Sequence, residues 1–85
     1  MLDKTSYTTR LLDLARGAAP GLADAGDPQK ADLRQAGLTS IAAVRLMLEV
    51  EAAFGLAIPD GELTPENFAS VDSIAQLVLR LKAAA

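Results

Sequence analysis

The chain has 85 residues, a formal charge of −3 and only eight basic residues, so it is one small domain without the basic patch that nucleic-acid binding demands. It contains no cysteine and no histidine, which removes disulfides, the usual soft metal ligands and the usual nucleophile-base pairs. Half of it is hydrophobic but only 4% is aromatic, so the core must come from Leu, Ile, Val and Ala, a palette that favours packed helices over a sheet.

Residues Ser6 to Ala18 place Tyr7, Leu11, Leu14, Ala15 and Ala18 at helical spacing, with Leu12 widening the stripe, and predict a first amphipathic helix that begins near Thr5 or Ser6. Gly17, Pro20 and Gly21 end it. From Ala19 to Leu38 the composition turns to Gly, Pro, Ala and Asp without a sustained period. A connection this long in a small domain is functional or tied down. Leu22, Leu33 and Leu38 are the expected tethers, with a turn of helix around Lys30 to Gln35.

The most apolar stretch predicts a second helix over Ser40 to Phe54. Val44, Met47, Val50 and Phe54 fit a core stripe, Ile41, Leu46, Leu48 and Ala53 fall on its flanks, and Arg45, Glu49, Ala42 and Ala52 form a narrow solvated face. Gly55 stops the helix, and Leu56 to Gly61 is extended and ends in a turn. Thr64, Pro65 and Glu66 signal a short helix over Pro65 to Ala69 anchored by Phe68. Ser70 caps a last helix whose core face is Ile74, Ala75, Val78 and Leu81 and whose terminal Ala83-Ala84-Ala85 frays. The expected fold is all-α, a single domain over 1–85 with three main helices, one short helix and a long first loop.

No apolar run reaches the roughly 20 residues that span a bilayer, and Met1-Leu2-Asp3-Lys4-Thr5-Ser6 lacks an apolar signal core. A cytoplasmic protein is expected, with no membrane and no nucleic acid among its partners. Asp24, Asp27, Asp32, Asp60 and Glu62 do not have the alternating spacing of a calcium loop and read as solubilising loop acids, so no metal is expected.

Ser40 follows Gly37 at the start of the apolar helix, where backbone N–H groups and the helix dipole favour an attached phosphate. Serine and threonine are also the ordinary helix caps, and on local pattern Thr39 or Ser40 could be no more than that. The segment Asp32-Leu33-Arg34-Gln35-Ala36-Gly37-Leu38-Thr39-Ser40-Ile41, followed by Val44, Leu46, Glu51, Phe54-Gly55 and Ile58-Pro59-Asp60, closely resembles the acyl and peptidyl carrier proteins. Its spacing from the serine through Pro59-Asp60 matches without a gap.

The resemblance implies that Ser40 is esterified to 4′-phosphopantetheine, donated by coenzyme A through a phosphopantetheinyl transferase. The arm's terminal thiol then carries substrate as a thioester. A chain without cysteine or histidine can present such a borrowed thiol although it cannot activate an acyl group itself, so a carrier rather than an enzyme is expected.

Thr39 stands where an aspartate commonly precedes the serine, and Ala42, Ala43 and Arg45 stand where fatty-acid carriers tend to be acidic. Acidic helices steer basic enzymes, so a dedicated partner set is expected. Ala36 to Ser40, Val44 to Leu48 and Phe68 to Ile74 look like the small aminoacyl carrier proteins charged by class II synthetase-like ligases. That likeness implies a small amino acid such as glycine or alanine as cargo, a ligase that loads it, a downstream acceptor enzyme and a monomeric carrier.

Thr39, Ile41, Arg45 and Leu48 are the candidate partner surface. Core packing is the competing role for Ile41 and Leu48, and an exposed pair with Glu49 is the competing role for Arg45. The other functions compatible with the chain are an acyl carrier of a specialised fatty-acid or polyketide pathway and an unmodified helical adaptor that binds a partner through the second helix.

Overall fold

Three α-helices and the hydrogen-bonded connections between them make up the computed structural model, which describes residues 4–84. Helix α1 spans Lys4–Ala18, α2 spans Ser40–Phe54 and α3 spans Val71–Ala84, and no strand occurs among the described residues. The all-α class and the three main helices are as the sequence predicts. Fraying of Ala85 and the character of Met1 to Asp3 lie outside the described residues.

Helix α1 packs against both α3 and α2, whereas α2 and α3 make little direct contact. Its buried face is Tyr7, Leu11 and Ala15, with Leu12, Leu14 and Ala18 packed beside it, which is the stripe the periodicity gives. At the C-terminal end of α2 the Phe54 ring meets Tyr7 edge-on with centroids 5.1 Å apart, and the Arg10 guanidinium lies 5.5 Å from the Phe54 centroid. Gly55 (φ 63°) then ends α2 in the left-handed conformation.

The long connection is pinned along its length. Leu22, Leu33 and Leu38 are all buried, as expected. Leu33 N–H donates to the Ala69 carbonyl (2.9 Å) and Asp72 N–H to the Gln29 carbonyl (2.9 Å), which ties the loop to the start of α3. The Asp32 carboxylate accepts from Arg34 N–H (2.9 Å) and Gln35 N–H (3.2 Å) and so opens the turn that leads to α2. A short 3₁₀ helix, Pro20–Asp24, which the sequence did not signal, docks on this turn through Gly21 N–H and the Ala36 carbonyl (2.7 Å).

That docking leaves no room for a side chain. A Cβ on Gly21 would lie 2.8 Å from the Ala36 oxygen and 2.9 Å from its Cα, both rigid backbone atoms. Replacing glycine by alanine gains about 0.4–1 kcal/mol from the unfolded chain where space allows, but overpacking costs about 1–3 kcal/mol. Gly21→Ala is therefore expected to lower stability in urea unfolding. Gly17→Ala, helical and with nothing within 4 Å of the new methyl, is expected to raise it by about 0.5–1 kcal/mol. Equal effects at the two sites would contradict the docking.

Two expectations need correction. Residues 65–68 form a turn, not the predicted short helix. Thr64 does cap it, its Oγ1 accepting from Asn67 N–H (3.2 Å), but only Phe68 N–H closes an α-type bond, to the Thr64 carbonyl (3.3 Å). The chain must then become the cap of α3, where Ser70 Oγ accepts from Ser73 N–H (3.1 Å), and one turn has too few bonds to offset helix nucleation. A 3₁₀ turn at Asp60–Glu62 precedes it.

The second correction concerns the phase of α2. Val44, expected in the core, is exposed, and Leu46, expected on a flank, is fully buried. The inward face is Ala43, Leu46, Val50 and Phe54, spaced three, four and four residues apart. A helix apolar nearly all round carries no strong phase of its own, so the packing of α1 decides it.

Candidate functional site

The approach to α2 is built so that Ser40 emerges at a fixed point. Gly37 takes φ 100°, a conformation that side chains disfavour, and lies against the Pro20 ring. Leu38 is buried and anchors the turn. Thr39, in extended conformation, is the N-cap: its Oγ1 accepts from Ala42 N–H (3.1 Å) and its carbonyl from Ala43 N–H (2.8 Å).

Ser40 is then the first residue of α2, and it is exposed. The two roles that local pattern leaves open for Thr39 and Ser40 separate in space. Thr39 spends its hydroxyl on the helix end, while the Ser40 hydroxyl has no hydrogen-bond partner among the described residues. It stands in the partial positive field of a helix of 15 residues.

Two grooves meet at this serine. One, shallow and almost wholly apolar, runs over Ile41, Val44, Arg45 and Leu48. Ile41 is 78% exposed, Val44 56% and Leu48 55%, so the core-packing role considered for Ile41 and Leu48 does not apply. Arg45 is exposed and forms no ion pair with Glu49 among the described residues. The four residues of the expected partner surface, Thr39, Ile41, Arg45 and Leu48, are all solvent-facing near or along one side of α2.

The other groove, about 670 Å³, separates α2 from the segment that leads into α3. Ala43, Val44 and Met47 form one wall, Leu63, Pro65 and Phe68 the other, and Arg34 stands beside Leu38, Thr39 and Ser40. The sequence placed Val44 in the core and did not single out Arg34 or Leu63. Val44 could have been found from its i, i+3 and i, i+4 spacing to Ile41 and Leu48. Leu63 and Phe68 lie too far along the chain for any local pattern to bring them to Ser40.

Across both grooves the charged residues are Arg34 and Arg45, and no carboxylate lines either. Nor do the described residues hold a group of three or more Asp and Glu able to bind a metal ion. No described helix is long and apolar enough to cross a membrane. The arrangement presents a solvent-exposed hydroxyl in a cationic setting, suited to an attached anion.

Residues 18–78, a span that includes this whole turn and both grooves, match the family described as the phosphopantetheine attachment site. The chain belongs to the phosphopantetheine attachment family. It is 44% identical over 77 residues to aminoacyl carrier protein 1 of Bradyrhizobium diazoefficiens, covering 88% of this chain and 84% of that protein. It is 47% identical over 49 residues to an aminoacyl carrier protein of Agrobacterium fabrum, covering 58% of this chain and 59% of that one.

Among solved structures it resembles the carrier protein bound to the glycine:[carrier protein] ligase of Bradyrhizobium japonicum. In the complex that also holds an analogue of glycyl adenylate, the TM-score is 0.68 at 42% identity over 86% of this chain and 96% of that one. In the complex with the glycylated carrier protein, the TM-score is 0.65, also at 42% identity, over 82% and 96%.

The covalent group that gives the phosphopantetheine attachment family its name joins a protein hydroxyl through a phosphodiester. The start of α2 fits that group: an uncommitted exposed hydroxyl, a helix N-terminus, two cations and no carboxylate lining the adjoining grooves.

Proposed function

We propose that this chain is a cytoplasmic aminoacyl carrier in which Ser40 bears 4′-phosphopantetheine and the arm holds a small amino acid, glycine or alanine, as a thioester. When attached, the group supplies a terminal thiol, the function that a chain without cysteine lacks. The observation that carries the reading is the division of labour at α2: Thr39 caps the helix and leaves the Ser40 hydroxyl exposed and unbonded. The named relatives and the ligase-bound structures support the aminoacyl subtype over a fatty-acid or polyketide carrier.

The chain's own part is presentation. Leu38 and the Gly37 turn hold Ser40 at the end of a rigid helix, and the exposed Ile41, Val44 and Leu48 beside it offer a partner an apolar contact with Arg45 at its edge. A ligase that activates the amino acid with ATP loads the thiol, and an acceptor enzyme unloads it. With neither histidine nor cysteine in the chain, its contribution in this reading is position rather than catalysis.

Intact-mass analysis of the holo protein, offered glycine or alanine, ATP and a glycine:carrier protein ligase, is expected to show one aminoacyl group added. Leu48→Asp, which puts a like-sized charge on the apolar stripe, is expected to slow loading at least tenfold while leaving the amount of phosphopantetheine unchanged at completion. A holo wild-type protein that accepts no amino acid but is charged by a fatty-acyl ligase would return the assignment to the acyl carriers.

A further inference from the structure

An aspartate can close on the amide nitrogen of the residue that follows it, giving a five-membered succinimide, when that nitrogen is uncommitted and unhindered. Among the described residues the fold withholds it at nearly every candidate. Pro28, after Asp27, has no N–H to offer. Ala25 N–H, after Asp24, donates to the Leu22 carbonyl (3.2 Å), and Leu33 N–H, after Asp32, to the Ala69 carbonyl (2.9 Å). Ser73 N–H, after Asp72, donates to Ser70 Oγ (3.1 Å). Phe68 N–H, after Asn67, donates to the Thr64 carbonyl (3.3 Å). Leu14 N–H, after Asp13, belongs to the ladder inside α1.

Asp60-Gly61 departs from this pattern. Both residues are exposed, Gly61 N–H has no acceptor and the Asp60 carboxylate no partner among the described residues. Nothing lies within 4 Å of where a Cβ on Gly61 would stand, so the peptide between the two residues can turn. The 3₁₀ turn around it is closed by two bonds, Glu62 N–H to the Pro59 carbonyl (2.9 Å) and Leu63 N–H to the Asp60 carbonyl (3.1 Å).

We propose that Asp60-Gly61 is a site of spontaneous isoaspartate formation in the native protein, and that its product is the substrate of a carboxyl methyltransferase that uses S-adenosylmethionine. Gly61 N attacks the Asp60 side-chain carboxyl carbon. The C–N bond forms, and one carboxyl oxygen leaves as water with the amide proton and one proton from solvent. Water then opens the ring, at the side-chain carbonyl to restore aspartate or at the main-chain carbonyl to give isoaspartate. Methyl transfer from the sulfonium to the new carboxylate, followed by loss of methanol as the ring closes again, provides the way back.

Isoaspartate runs the backbone through the former side chain, one methylene longer, and turns the carbonyl that Leu63 N–H uses into a free carboxylate. The 3₁₀ turn is then lost. Glu62, whose carbonyl holds Asn67 Nδ2 (2.8 Å) and whose carboxylate meets Arg80 (3.5 Å), loses its fixed place, and the 62–68 segment loosens from α3.

The test stores the folded protein at neutral pH and physiological temperature, then locates isoaspartate by peptide mapping and by methyl uptake from S-adenosylmethionine with an isoaspartyl methyltransferase. Residue 60 is expected to accumulate it ahead of the other described aspartates, and amide NMR signals of Leu63, Asn67 and Phe68 are expected to shift while those of α1 stay. Gly61→Ala, whose methyl meets open space, is expected to fold and to react several-fold more slowly. In that variant residue 60 should still outpace Asp24-Ala25, the same dipeptide with its amide committed. Wild-type protein without isoaspartate at residue 60, or equal amounts at residues 24 and 60 of Gly61→Ala, would overturn the proposal.

Discussion

Ser40→Ala is expected to take up no phosphopantetheine when incubated with coenzyme A and a broad-specificity transferase, while the wild-type protein gains one group per chain by intact mass. The loss should be complete, because no other side chain offers a hydroxyl at the start of α2 except Thr39, and that oxygen is committed to Ala42 N–H. The fold should hardly notice. Ser40 is exposed and its hydroxyl has no hydrogen-bond partner among the described residues, so its removal falls within the roughly 0.5 kcal/mol typical of surface changes.

Thr39→Ala should do the reverse. It removes the cap and costs about 0.5–2 kcal/mol in urea unfolding, yet the protein should still be modified. This crossed pair distinguishes presentation from folding in a way that neither variant does alone. Modification surviving in Ser40→Ala, or a large loss of stability with it, would refute the assignment of roles to the two hydroxyls.

The features that organise the site lay plainly in the sequence because each is local. A glycine before Leu38, a Thr-Ser pair at the head of an apolar run, Gly55 after Phe54 and Ser70 before the last helix are all set by the needs of a turn or a cap within a few residues. The tethers Leu22, Leu33 and Leu38 were legible for a similar reason, as isolated large apolar residues in a polar connection. What the sequence hid depends on partners far along the chain. The turn at 65–68 is too short to announce its own fate, and the carbonyl of Ala69, just after it, is used by Leu33 from the long connection. Arg34 gains its setting only when Leu63 and Phe68 are folded across from α2.

The phase of α2 belongs to the same class, and it bears on function because rotation of this helix decides which apolar residues are left for a partner. Had Val44 pointed inward as the pattern suggested, Leu46 would have been a flank residue and the exposed stripe would have lost its middle member. In the folded chain Ile41, Val44 and Leu48 are continuous on the outside, beside Ser40, and the core is satisfied by Leu46 and Val50 on the opposite side. The excess apolarity of the helix thus divides into two faces with different work.

Leu46→Ala should accordingly be among the most damaging substitutions in the chain. Leu46 is 0% exposed, and truncating a buried leucine costs about 2–5 kcal/mol through lost transfer energy and the cavity left behind. A domain of this length has roughly 4–13 kcal/mol in all, so the variant should lose a large share of its stability and roughly 10 °C or more in melting temperature. Val44→Ala should change stability by less than about 0.5 kcal/mol or raise it slightly, since an exposed valine gives up little burial and alanine is the better helix former. Its effect should fall instead on loading by the ligase, where the methyls of Val44 complete the stripe between Ile41 and Leu48. Comparable melting points for the two variants would mean that α2 is turned the other way, and that the surface assigned to the partner is part of the core.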